Sequence, residues 1–242
     1  MIRVYDLPTR VFHWLFAFGF LTAFTLANTI DDEQATFSYH MIAGSTMCMA
    51  LIWRVIWGFV GTKHAKFSDF NLNPSALMHY LKGALSGSNS HSVGHNPASS
   101  WAAITMMLLA ACLGVTGFLM TNGSFNEVIE EVHELCANAF MLVVVLHLCG
   151  IVLHTIKYRD PIGKSMVSGE KSVSDDTKHV ATFTILGVLC LVATLLFTTT
   201  LIAQFDPHTR TTSIFGVTWQ LSEFETDEHK AHDEHYENDE HE

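Results

Sequence analysis

The sequence predicts an all-α membrane protein of five spanning helices. Nearly half of its 242 residues are hydrophobic and 15% are charged. The apolar residues gather in five runs of about twenty, the length a helix needs to cross a hydrocarbon core of about 30 Å. Cationic residues fall in alternate connections, as expected of a chain threaded back and forth through a bilayer. The net charge of −11 argues against a nucleic-acid partner, and much of it lies in the carboxyl-terminal tail.

The first span runs from Val11 to about Ile30. It is too long for the apolar part of a signal peptide, and His13 sits inside it with no small-residue cleavage site after it. Asp31, Asp32 and Glu33 make an acidic turn before a second span, about Tyr39 to Val60, with His40 at its start and Arg54 near its end. The polar connection from Gly61 to Ser100 includes SALMHYLKGAL after Asn73 and Pro74. This stretch predicts a short amphipathic helix on the membrane surface, with His79 on its polar face. SGSNSHSVGHNP reads as a loop, in which His91 and His95 are solvated. A third span, about Trp101 to Met120, carries Gly114 and Gly117 as close-approach positions for a helix or a porphyrin. NEVIEEVHE leads into a fourth span ending near Ile156, and a basic loop separates it from a fifth, about Ala181 to Ala203.

Eleven of the thirteen lysines and arginines fall on one side of such a five-span chain. The positive-inside rule makes that side cytoplasmic. It places the amino terminus inside and the carboxyl terminus in the periplasm of a bacterial inner membrane, crossed several times. The five cysteines, Cys48, Cys112, Cys136, Cys149 and Cys190, lie in or beside apolar spans without a C-x-x-C pair. They predict neither a disulfide framework nor thioether attachment of a haem.

The stretch His133 to His154, HELCANAFMLVVVLHLCGIVLH, is apolar yet holds three histidines. Imidazole in hydrocarbon needs a hydrogen-bond partner or a metal. His133 and His147 are fourteen residues apart, close to four helical turns or about 21 Å, so they leave nearly one helix face at two depths. One helix can thus give a ligand to each of two stacked haems. Pairing His133 with His154 would separate the sites by about 31 Å, the whole hydrocarbon thickness. His147 is therefore preferred as the deeper ligand, with His154 as its competitor or a propionate neighbour. His40 opens the second span on the outer side, opposite His133, and His13 meets His147 on the inner half. By depth alone His13 lies closer to His154. Arg54 is fourteen residues after His40, which puts a cation at the depth of the second site, where it can pair a propionate or snorkel to the surface. Two imidazoles per iron leave no open coordination position and favour outer-sphere electron transfer.

Several stretches carry a family resemblance: VYDLPTRVFHW at 4–14, RVIWGFVGTKHAKFSDF at 54–70, GHNP at 94–97 and HELCANAFMLVVVLH at 133–147. Together they resemble the bacterial cytochrome b561 family, related to the b-type cytochrome subunit of nickel-iron hydrogenases. The resemblance covers roughly residues 1–171 and implies a four-helix haem-binding core with two haem b groups, ligated by His13, His40, His133 and His147. It implies electron transfer between a membrane quinone and a redox partner, as a component of quinone or quinol oxidoreduction. A periplasmic c-type cytochrome is the expected partner, with the quinone near the inner haem beside Arg10, Arg54 or His154. Arg10 and Arg54 are the expected propionate contacts.

The loop and fifth span, 172–204, and the acidic tail, 205–242, depart from the four-helix pattern. By composition the tail is disordered, with His229, His232, His235 and His241 among carboxylates able to bind a divalent metal or steer a basic cytochrome. Two other function classes compete. A divalent metal-ion transporter with the tail as collector would be colourless and show ion flux. A bare membrane anchor would show neither haem nor flux.

Overall fold

A computed structural model describes residues 1–86, 96–122, 126–159, 162–171, 179–214 and 216–222. It contains five helices long and apolar enough to cross a membrane: α1 (Leu7–Thr29), α2 (Ser38–Val60), α4 (Pro97–Thr121), α5 (Glu127–Tyr158) and α7 (Thr184–Ala203). The helix expected after Pro74 is α3 (Pro74–Ser86), and α6 (Ser165–Ser168) is a single turn at the end of the bundle that carries most of the lysines and arginines, called the inner end below and the opposite end the outer one. His91, His95 and the tail beyond 222 lie outside the described residues.

The starts of the spans are written locally. Asp6 accepts the Thr9 N–H at 2.9 Å and Pro8 follows it, so α1 begins at Leu7, earlier than the apolar run alone suggests. Asn96 and Asn126 cap α4 and α5 in the same way, by accepting from Ser99 and Ile129. The acidic lead before His133 is continuous with α5, because Glu127 and Glu130 complement the positive end of the helix dipole. Helix α5 stops where Arg159 turns left-handed at φ 51°.

Helices α1 and α2 form one antiparallel hairpin and α4 and α5 another, with α2 also packed on α4 and α7 against the backs of α1 and α2. Aromatic side chains fill the interior: Phe16 and Phe20 of α1 meet Phe140 of α5, with Met47, Leu51, Met107 and Leu113 around them. Gly114 is a close-approach point, since a Cβ there would lie 2.7 Å from Cys48 Sγ. Large apolar side chains such as Phe18, Ile52, Phe59, Leu108, Leu142 and Leu196 are exposed on the outer faces, where lipid replaces water as solvent.

Each end has a cap. On the inner side β1 (Ile2–Arg3) pairs antiparallel with β2 (Glu170–Lys171). Gly169, at φ 82°, accepts from the amides of both Val4 and Tyr5. On the outer side β3 (Thr211–Ile214) and β4 (Val217–Gln220) form a hairpin after α7. Ile214 and Leu221 pack on Ile42 and Leu201. Thr212 donates to Leu201 O at 2.9 Å, and Ser38 to Leu221 O at 2.7 Å. This corrects the expectation of a disordered tail from residue 205. The described residues through 222 are folded, because Thr212, Ile214 and Leu221 find a shelf made by the outer ends of α2 and α7.

Candidate functional site

All four histidines are half-buried, and His40 and His133 meet ring to ring across the seam between the helical hairpins. In the outer pair, the rings of His40 and His133 have centres 6.1 Å apart at 67°. An iron held between two imidazole nitrogens at about 2 Å each puts ring centres roughly 6 Å apart. Their outward nitrogens are already engaged. His40 Nδ1 lies 2.9 Å from the carbonyl of Ala23, which can only accept. His133 Nδ1 lies 2.8 Å from Thr116 Oγ1, whose own proton goes to the Cys112 carbonyl at 2.9 Å. Both imidazoles therefore carry their proton on Nδ1 and leave Nε2 bare, the tautomer an axial ligand needs. Gly117 keeps the space open, since a Cβ there would touch the His133 ring at 3.5 Å.

In the inner pair, His13 and His147 are near enough to act on one another electrostatically. The Trp14 indole stands edge-on to His13 at 5.4 Å. His154 is half-buried one heptad further along α5. Between the pairs sits Phe140, seven residues from both His133 and His147 and 1% exposed. It stacks on Phe20 at 4.0 Å, so a dry aromatic layer divides the two levels.

Arg54 does not snorkel. It is 4% exposed, and its guanidinium lies 5.0–5.8 Å from the ring centres of Phe67, Phe70 and Phe12. Its Nη1 has no partner among the described residues, which suits a site meant to receive an acceptor. Arg10 instead reaches the inner cap, where Nη1 donates to the Val167 carbonyl.

Sequence reasoning missed the polar support of this inner end. Asp6 is fully buried and accepts from Trp57 Nε1 at 3.0 Å and Thr62 Oγ1 at 2.6 Å as well as capping α1. Its charge acts favourably on Arg54. His64, 4% exposed, pairs with Asp69 at 2.8 Å. Burial, and then the Asp69 charge, push the Tyr5 hydroxyl well above its ordinary pKa, so it stays protonated. Asp6 had a signal in its place two residues before Pro8. Thr116 gave no such signal, since Thr105 is a second hydroxyl in the same apolar span.

Among the described residues no three His, Cys, Asp or Glu side chains converge. The pairs offer two nitrogens each, the number of axial positions a porphyrin leaves on its iron.

Residues 4–169 match the family model of prokaryotic cytochrome b561. A probable Ni/Fe-hydrogenase B-type cytochrome subunit of Rhizobium leguminosarum bv. viciae is 27% identical over 217 residues, covering 72% of this chain and 90% of the relative. The protein of the same description from Bradyrhizobium diazoefficiens is 25% identical, covering 72% and 87%. A probable Ni/Fe-hydrogenase 1 B-type cytochrome subunit of Escherichia coli K12 is 22% identical, covering 48% and 59%. No solved structure matches. The family match spans all four histidines and stops before α7; the chain belongs to the prokaryotic cytochrome b561 family and is a membrane electron-transfer protein of the b-haem class.

Proposed function

We propose that the chain conducts electrons across the bacterial inner membrane between the quinone pool and a periplasmic redox protein, through two haem b groups. His40 and His133 hold the outer group, and His13 and His147 the inner one. Arg54 pairs an inner propionate, with Arg10 at the inner rim. The observation that carries this reading is the outer pair: two facing imidazoles at ligating separation, each with Nδ1 already bound elsewhere. When bound, each haem supplies an iron that takes up and gives back one electron.

The protein's own residues do the rest. Two imidazole nitrogens at each site would hold the iron and leave oxygen no position on it, with Nε2 the free nitrogen of His40 and His133. The Ala23 carbonyl and the Thr116 hydroxyl fix the rings and raise their basicity. The Phe20–Phe140 layer keeps the space between the levels dry. Outside, Glu127, Glu130, Glu131 and Glu134 add negative charge around the outer site, which would steer a basic partner such as a c-type cytochrome. The names of the relatives add a Ni/Fe hydrogenase to the candidate partners.

The test is haem stoichiometry with reduced-minus-oxidised spectra on the protein and on alanine variants of His13, His40, His133, His147 and His154. Two b haems per chain, lost one at a time with the first four variants only, are expected. A colourless protein would overturn the proposal, and loss with His154 instead of His147 would move the inner site.

A further inference from the structure

The outer hairpin takes no part in either histidine pair and lies beyond the matched family region. Its strands have one apolar face and one polar face. In an antiparallel ladder, residues directly opposite one another put their side chains on the same side of the sheet. Thr212 pairs with Trp219 and Ile214 with Val217, so these four share a face. Their neighbours along both strands, all Thr, Ser or Gln, share the other.

The apolar face looks down onto the bundle. The carbonyls of a helix's last turn point out of its end, and Thr212 meets the Leu201 carbonyl there at 2.9 Å. Ile214 packs beside it on Ile42 and Leu201. Strand β3 is the one that lies on α7, and β4 runs past the edge of that shelf. Leu221, which continues β4 and donates its amide to Arg210 O at 2.7 Å, is 3% exposed, but on the same face Trp219 is 39% and Val217 57% exposed. Ile214, directly across the ladder from Val217, is 6% exposed. The overhanging side chains therefore point the same way as the buried ones, towards the plane of the membrane.

Their depth follows from the same contact. Helix α7 has 20 residues and so spans about 30 Å, the thickness of the hydrocarbon core, which puts its last turn at the boundary. Trp219 stands one strand spacing, about 5 Å, to the side of Thr212 at that level. This is the layer where an indole, apolar in body and polar at its N–H, is most at home. Tyr39 and Phe205, with ring centres 5.7 Å apart, mark the same boundary at the start of α2 and just past α7.

The strand edge agrees. Among the described residues β4 pairs on one side only. An edge in water is ordinarily guarded by charge, yet residues 211–222 include no charged residue. An edge in hydrocarbon would leave its peptide groups without partners. Headgroups and the water among them can meet both the backbone and the apolar face.

We infer that the hairpin is a membrane-interface anchor, with Trp219 and Val217 inserted among the phospholipid headgroups at the outer end of the bundle and Thr218 and Gln220 turned to water. Ser38, two residues before His40, donates to Leu221 O at 2.7 Å, so the anchor also steadies the start of α2. Neither the haem reading nor the direction of insertion enters this inference.

The test uses the full chain in phospholipid vesicles. Val217, Thr218, Trp219 and Gln220 are each replaced by the photoreactive p-benzoylphenylalanine, and adducts are read by mass spectrometry. Val217 and Trp219 positions should give phospholipid adducts roughly fivefold or more above the other two. A second measurement keeps the native side chains. The emission that Trp219→Phe removes should be quenched about twofold more by lipids brominated near the headgroup than by lipids brominated at the chain end. Equal adducts from both faces, or stronger quenching by the deeper bromines, would overturn the anchor. So would a covalent dimer formed from either apolar position, or, in membranes of the producing cells, a cross-link from either to another protein.

Discussion

At the scale of single residues, the outer pair is tuned by what each imidazole gives its Nδ1 proton to. Thr116 is an acceptor for His133 only because its own proton is spent on the α4 backbone. Thr116→Val keeps the shape and removes that acceptor. The His133 ring becomes a weaker electron donor, so the ferric state loses support and the potential of the outer haem rises. Its haem affinity should fall by about 10–100-fold, and Thr116→Ser should restore both. A redox titration resolving the two haems checks this, and an unshifted outer potential would refute it. Asp6 is the other residue whose loss should be felt widely. Asp6→Ala strips the cap from α1 and orphans the Trp57 and Thr62 donors, which should cost about 2–3 kcal/mol of stability. Thermal unfolding followed by haem release would show it. The four histidines proposed as ligands stand out in the sequence because imidazole is conspicuous in hydrocarbon and because His133 and His147 share one helical face. Thr116, Asp6 and His64 do not, because short polar side chains at span ends and within helices usually satisfy the local backbone.

At the scale of elements, packing depends on a few places where a side chain has been left out. A Cβ at Gly187 would come 2.7 Å from Leu7 Cγ, so α7 rests directly on the start of α1. Gly187→Val should push the fifth helix away and destabilise the protein by roughly 1–3 kcal/mol. The spans were readable to within a few residues from apolar length alone. The outer hairpin was not, since β3 and β4 are only four residues each, and their burial depends on a shelf built by residues far away in sequence. That hairpin has a pH-sensitive root. Asp206 accepts from the His208 amide at 2.9 Å, and this contact, first among several, lowers its pKa below the ordinary 3.8. A lowered carboxylate stabilises the fold above its ordinary pKa and loses that contribution as the pH falls through the lowered value. Acidification below about pH 4 should therefore loosen the turn, seen as faster exchange of the His208 amide. Asp206→Asn should abolish this pH dependence.

At the scale of the whole molecule, the two ends of the bundle are unlike. The inner end is tied by β1–β2, by Trp14 donating to the Met166 carbonyl at 3.0 Å and by Lys157 reaching Gly83 O at 3.3 Å. It carries eleven of the thirteen lysines and arginines, counting the connections and adjoining helix ends. The outer end carries the acidic turn, the carboxylates at the start of α5 and the hairpin. Such asymmetry sets the direction of insertion, because cationic segments are retained in the cytoplasm. In the proposed two-haem reading it would decide which histidine pair meets which partner. The expected orientation has α3 and α6 inside and the hairpin outside. Cysteine placed at Thr218, which is exposed on β4, should react with a membrane-impermeant maleimide in intact spheroplasts. Cysteine at Val167, exposed on α6, should react only after lysis. The reverse result would turn the molecule over. It would put Arg54 and the His13–His147 level on the periplasmic half, so this labelling experiment also fixes which histidine pair lies nearer a periplasmic partner in the proposed reading.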